Sequence, residues 1–328
     1  MYDIKDLSSV NNVRRSKLLI ERKFPKLVYD KLFPVAKVGS VIVPRLEFGD
    51  DGIKLMNNLK RAEFGPMNIV RPDEVNYYTT RLDEYEAAFP VDWKQSAETA
   101  DYGKLKKRFS KDRAALKAWE ILMLNREYEV MSMVTDTDNY GDDNQETFTG
   151  STSWATSTNV MITDVADAAN VIFEATGHYP NVGVFGSQKA FTNVATKDYF
   201  LERVKYGGTA NKPAMVNMKA MAEILGLEEI AVGQAFYSVN GSRTELWPDV
   251  FVLAYVNRGN LNGDEIDDED SFGLTLEYQT TPFVDEVPEN ENTKGFSKVS
   301  HQRATSLHKH LGLNFDAAFL FENTTLTS

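Results

Sequence analysis

The chain has 328 residues, 42% of them hydrophobic and 26% charged, which is ample for a buried core and for more than one domain, so disorder is not the default reading. Cysteine is absent, which excludes disulfides, thiolate metal sites and cysteine nucleophiles and fits a reducing cytoplasm. A net charge of −12 repels phosphate, so the chain as a whole does not read as a nucleic-acid binder.

The charge is uneven. Residues 1–45 carry ten Lys/Arg against four Asp/Glu, so a basic segment precedes an acidic body. That segment reads equally as an arm meeting DNA or an acidic neighbouring subunit and as a solvated basic face. Its opening, MYDIKDLSS, has no basic stretch followed by an apolar core, so no secretory signal is visible. The longest apolar runs, such as 250–256, are far too short to span a bilayer, and no membrane partner is expected.

Along residues 1–35, Pro25 and Pro34 favour an extended path over one long helix. Val41, Ile42 and Val43 are strand formers. Asp51-Gly52 and Gly65-Pro66 mark turns. Tyr77, Thr79 and Arg81 alternate with Tyr78, Thr80 and Leu82 as a returning strand would. Residues 46–95 are therefore expected to form an extended two-stranded hairpin. Such a hairpin is marginal alone in water and needs something to lie on, a neighbouring subunit being one candidate. From Lys104 to about Val134, Leu105, Phe109, Leu116, Trp119, Met123, Val130 and Met133 recur near a period of 3.6 with no Gly or Pro between them. This predicts a helix of about 45 Å, long enough to act as a spine.

Residues 140–158 are polar and predict a loop or domain junction. Thr163 is then expected to cap a helix with Asp164 in its first turn, an apolar stripe of Val165, Ala169, Ile172 and Phe173, and Gly177 at its end. Residues 182–185 predict a buried strand, Gly186-Ser187 the start of another helix, and 198–206 a further helical segment. Asn217 is expected to cap a helix ending at Gly226, with strands at 229–232 and 250–256. This alternation predicts a compact α/β unit over 155–258. An acidic loop follows at 260–270. Beyond it come a strand at 273–279 with Leu274, Leu276 and Tyr278 on one face, a polar stretch at 282–294, and closing strands over 296–321.

Little in the chain suggests chemistry. There is no G-x-G-x-x-G, G-x-x-x-x-G-K-[ST], G-x-S-x-G, H-E-x-x-H or C-x-x-C pattern. No catalytic residue, cofactor or metal ligand is assigned, and no enzyme is expected. Asp136-x-Asp138-x-Tyr140-Gly141 with Glu146 imitates a calcium loop, but Tyr140 stands at the fifth position, which wants an oxygen ligand, and Thr147 at the twelfth, which wants a bidentate Glu, so a solvated loop is the better reading. The acidic run 264–270 reads as solubilising. His308 and His310 share one strand face, yet spacing alone recruits no third ligand. His178, beside the Pro180-Asn181 turn, reads as structural, and Gly186-Ser187 reads as a plain helix cap rather than a phosphate site.

The order of these segments resembles the tailed-bacteriophage major capsid proteins with the Hong Kong 97-like fold, an α+β architecture. The local sequence is similar too. ITDVADAANVIFEATGHYPNVGVFGSQKAFTNV, DYFLERVKYGG, MKAMAEILGLEEIAVGQAFYSVNGS and WPDVFVLAYV resemble successive stretches of that family's axial domain. The resemblance covers most of the chain and is most specific over 160–258. It implies an N-terminal arm at 1–45, an extended E-loop hairpin at 46–95, and a peripheral domain with the spine helix at 96–154. An inserted axial domain at 155–258 follows, then closing peripheral strands with the acidic loop at 259–328.

It further implies a coat protein that self-assembles through hexamers and pentamers into an icosahedral head shell. Double-stranded DNA would lie inside without sequence-specific contacts, and the protein would reside in the virion after assembly in the host cytoplasm. Scaffolding, portal and decoration proteins would be further partners, and no cofactor is implied. Intersubunit contacts are expected from Phe48, Leu55, Met56 and Phe64 of the hairpin and from Arg14 and Arg15 of the arm. The helical built-in scaffold of some relatives is not seen, so either it has been removed before residue 1 or a separate scaffolding protein serves. Two rivals stand beside this reading. An encapsulin-like nanocompartment shell shares the fold and would need a cargo enzyme. A small α/β enzyme would need a pocket with catalytic groups, for which no motif is present.

Overall fold

The computed structural model describes residues 27–48, 75–92, 111–150, 152–156, 160–206, 216–239, 241–259, 271–287 and 299–325. Most of the basic arm, the hairpin residues 49–74, the start of the expected spine at 104–110 and the acidic loop at 260–270 lie outside them.

Two five-stranded sheets carry the core. In the first, β1 (Val35–Val38) runs parallel to β11 (Gly273–Tyr278), and β11 runs antiparallel to β13 (Val299–Gly312). β13 also pairs with β12 (Phe283–Val287) and, along its other edge, with β4 (Asp83–Asp92). In the second sheet the order is β5 (Gln145–Thr147), β14 (Ala318–Glu322), β10 (Val250–Ala254), β6 (Val182–Phe185) and β7 (Glu229–Val232). The expected run of closing strands thus divides, β13 going to the first sheet and β14 to the second.

Alternation explains why the central strands of the second sheet, β6, β10 and β14 as far as Phe321, are apolar on both faces. Phe185, Phe251, Leu253, Phe319 and Phe321 point to one face, against the helices Met161–Thr176, Gln188–Ala195, Asp198–Tyr206 and Met218–Leu225. Val182, Val184, Val250, Val252 and Leu320 point to the other, where they meet Leu32, Phe33, Val130, Val134 and Phe272. A sheet covered on both sides demands side chains without polar atoms on both. β5 and β14 lie outside 155–258, because β10 is buried along its whole length and needs a strand on each edge.

The long helix runs over Lys111–Val134, 24 residues or about 36 Å. Ala115, Ala118, Trp119, Leu122 and Met123 pack on Val284 and Ala304 of the first sheet. Val130 and Val134 reach the second sheet. One helix therefore spans both layers.

Local signals hold in detail at several ends. Ser187 Oγ accepts from Ala190 N at 3.1 Å, Asn217 Oδ1 accepts from Ala220 N at 2.8 Å, and Gly177 and Gly226 end their helices at φ of 76° and 74°. Two expectations are corrected. The Met161 helix starts from Val160, and Thr163 is inside it with its hydroxyl donating back to Val160 O at 2.7 Å. Phe173 is exposed, not buried on the stripe, and stacks on Tyr179 with ring centroids 4.5 Å apart. The calcium-loop imitation gathers no ligand set. Tyr140 is buried with its hydroxyl donating to Val134 O at 2.8 Å, and Asp136 accepts from Asp138 N at 3.2 Å.

The hairpin expectation holds at its base and is corrected at its far end, where residues 83–92 are β4 of the first sheet and pair with β13 instead of returning along the hairpin. β2 (Ile42–Phe48) pairs antiparallel with β3 (Val75–Arg81), from Ile42 opposite Arg81 to Phe48 opposite Val75. Among the described residues this ribbon joins neither large sheet. Val43 and Leu82 anchor its root among Ala36, Val38, Leu274 and Leu276.

Candidate functional site

The least expected feature is a polar seam between the long helix and the first sheet. The segment SHQRATSLHKH in β13 turns every second side chain toward that helix, so Ser306, His308 and His310 are buried. Across from them the helix offers Arg126, Glu127 and Glu129. Arg126 and Glu129 lie three residues apart and share a face, while Glu127 points elsewhere.

Arg126 ion-pairs with Glu277 of β11 and donates to the Ser306 hydroxyl; the Arg126 and Glu277 side chains are only 3% and 4% exposed. Lys37 of β1 binds the same Glu277 from the more open side and donates to Thr281 O at 2.6 Å. Glu127 accepts from Val28 N, from Tyr29 N at 2.9 Å and from Trp247 Nε1 at 2.6 Å. Burial pushes its carboxyl up to about 7 against the pull of those donors.

Glu129 meets the histidine pair. Its Oε2 lies 3.9 Å from His308 Nε2 and 3.8 Å from His310 Nε2, and its Oε1 accepts from Asn125 Nδ2 at 2.9 Å. One ligand-capable atom from each of Glu129, His308 and His310 falls within 4.8 Å of the others. Among the described residues neither Nε2 has a hydrogen-bond partner, although both are buried. The opposite ring nitrogens are held: His310 Nδ1 by Thr275 Oγ1 and His308 Nδ1 by Ser306 Oγ, each at 2.9 Å. Tyr85 of β4 stacks on His308 with centroids 4.3 Å apart. Burial, followed by the Arg126 charge, holds His308 down to about 2 and His310 to about 3, so both rings are neutral. Burial raises the Glu129 carboxyl despite bonds from Tyr85 and Asn125.

The outer surface carries large apolar side chains. Ile42 and Tyr78 on the β2–β3 ribbon are 56% and 51% exposed. Ile121 and Tyr128, seven residues apart, are exposed on the outer side of the long helix, and Phe236 and Tyr237 on β8 (Phe236–Val239). Of the contact residues expected from the sequence, Phe48 ends β2 opposite Val75. Leu55, Met56, Phe64, Arg14 and Arg15 lie outside the described residues.

Sequence reasoning missed Arg126, Glu127 and Glu129. A signal was available. Met123, Arg126, Glu127 and Val130 occupy positions i, i+3, i+4 and i+7, so two charges stand where the apolar stripe should continue.

No family model matches the chain. It is 25% identical over 297 residues to the major capsid protein of Burkholderia phage BcepMu, covering 90% of each sequence. A crystal structure of a phage-related protein from Bordetella bronchiseptica superposes with a TM-score of 0.71 at 23% identity, covering 97% of this chain and 99% of that one. The capsid structure of Cyanophage P-SCSP1u superposes at 0.53 and 9% identity, covering 92% and 89%. With two sheets bridged by the long helix, a ribbon that among the described residues pairs with neither sheet, and a capsid protein as relative over nine-tenths of its length, the chain is a phage major capsid protein of the Hong Kong 97-like fold, a structural subunit of the virion shell.

Proposed function

We propose that copies of this chain associate as hexamers and pentamers that tile an icosahedral head shell around packaged double-stranded DNA, which is held without sequence-specific contacts. The observation that carries this reading is the β2–β3 ribbon. Seven residue pairs zip it together, no third strand joins it among the described residues, and Ile42 and Tyr78 stand exposed on it. A two-stranded ribbon is marginal in water and gains stability when it lies on another surface. A sister subunit supplies that surface in a shell. The hairpin carried by β2 and β3, without residues 83–92, which belong to the first sheet, then lies across one neighbour, with Phe48, Leu55, Met56 and Phe64 in the contact. The arm 1–45, with Arg14 and Arg15, embraces another. The unit at 155–258, its sheet completed by β5 and β14, meets its copies around the capsomer axes, and the first sheet with the long helix forms the peripheral domain. Each contact is modest, and their number makes the assembly stable. Assembly takes place in the host cytoplasm, with scaffolding, portal and decoration proteins as further partners.

Deletion of residues 50–65 tests this. The variant is expected to stay folded and soluble, and electron microscopy is expected to find no closed shells. Normal shells from the deletion would overturn the lattice role of the hairpin.

A further inference from the structure

We propose that Glu129, His308 and His310 form a binding site for a divalent first-row transition metal, best matched by Zn2+, which clamps the long helix to β13. Two imidazole nitrogens and one carboxylate are a ligand set that zinc takes readily. The three side chains come from two elements that the first core layer already holds together, so the site forms with the fold. Ligands about 2.0–2.2 Å from a common tetrahedral ion sit roughly 3.3–3.5 Å apart. The observed Oε2–Nε2 separations of 3.9 and 3.8 Å are too long for hydrogen bonds and close to what an ion between them requires.

The second shell is arranged for the same purpose. Thr275 donates its single hydroxyl proton to Phe33 O at 3.2 Å, so its oxygen faces His310 Nδ1 as an acceptor. His310 Nδ1 therefore carries the ring proton, and its Nε2 lone pair points at Glu129. Ser306 Oγ accepts from Arg126 and keeps a second lone pair for His308 Nδ1. Glu129, at 28% side-chain exposure, leaves a way in from solvent. The cations that face the site are Arg126 and Lys309, and each is engaged by a carboxylate, Glu277 and Asp83 respectively. Tyr85 stacks on one side of His308, and the rings of Tyr29 and Phe33 meet His310 edge-on at 6.3 Å, so aromatic side chains wall the two imidazoles.

The test uses the purified full chain, stripped with chelator and dialysed against Zn2+. One equivalent is expected to bind. X-ray absorption should find nitrogen and oxygen ligands at roughly 2.0–2.1 Å with the outer scattering of two imidazoles, unchanged in an H178N/H301N background where only the site histidines remain. E129Q and H310Q should each weaken binding by about 100-fold, and T275V by about 10-fold through loss of ring orientation. Absence of stoichiometric binding, an oxygen-only shell, or affinity untouched by E129Q and H310Q overturns the assignment. Should those variants fail to fold, the absorption spectrum of the H178N/H301N protein alone decides.

Discussion

Trp247 Nε1 donates to Glu127 at 2.6 Å, and this bond ties the middle of the long helix to the layer of the second sheet. The same carboxylate holds Val28 N and Tyr29 N, so one side chain gathers three parts of the chain. Glu127→Ala leaves two buried donors and one part-buried donor without an acceptor and is expected to cost about 2–4 kcal/mol. Trp247→Phe removes one donor and keeps the acceptor satisfied by the others, so its cost should be less than half as large. Denaturant midpoints at unchanged slope measure both. Equal losses from the two variants would contradict this division of labour.

The buried pair Arg126–Glu277 predicts an asymmetry. Arg126→Met leaves Glu277 its bond to Lys37. Glu277→Leu strands the guanidinium of Arg126 in an interior where it is 3% exposed. The glutamate substitution should therefore cost roughly 3–5 kcal/mol and the arginine substitution clearly less, while the double variant recovers part of the loss. An equilibrium double-mutant cycle reads this directly. A larger loss from Arg126→Met would show that Lys37 does not matter to Glu277.

Acid sensitivity has an identifiable contributor at Glu229. Burial alone would raise its carboxyl, but Lys31 at 2.6 Å and Arg258 at 3.1 Å overcome that and hold it below its ordinary value. The unfolded chain then binds the proton more readily than the folded one. The stabilisation is complete above the ordinary carboxylate range and is lost as pH falls through the depressed folded value. All three side chains are about one-third exposed, so the contribution at neutral pH stays below about 1 kcal/mol. Glu229→Gln is expected to flatten the acid limb of the stability profile measured between neutral and low pH. An unchanged limb rules out this triad as a source.

The ribbon separates folding from assembly. Ile42→Glu and Tyr78→Glu alter exposed positions and should change subunit stability by no more than about 0.5 kcal/mol. Sedimentation should nevertheless find free subunits or capsomers where the parent gives shells. Full shell yield from both variants would argue that these side chains face solvent in the assembled head.

The second sheet and its helices were legible because each local rule pointed the same way. Caps at Ser187 and Asn217, stops at Gly177 and Gly226, and short apolar runs at Val182–Phe185 and Val250–Ala254 are local facts that the fold leaves intact. The first sheet was harder. β13 buries Ser306, His308 and His310, so its inward face reads as polar and its alternation points to the wrong side. Glu129 joins the two histidines only in three dimensions, about 180 residues away in sequence, and no spacing rule reaches that far. Thr163 looked like a cap because its hydroxyl bonds the backbone, yet it does so one turn inside the helix.

β13 and β14 are interior strands, one in each sheet, and the ribosome makes both after every strand they join. A nascent chain halted before residue 299 has β4, β11 and β12 waiting for a common partner, and β10 with one edge bare. Closure of both sheets is thereby deferred until residues 299–322 have been made, at the cost of slow long-range pairing. Truncated products are left without a finished body to offer a growing lattice, so the connectivity itself screens the building blocks for completeness.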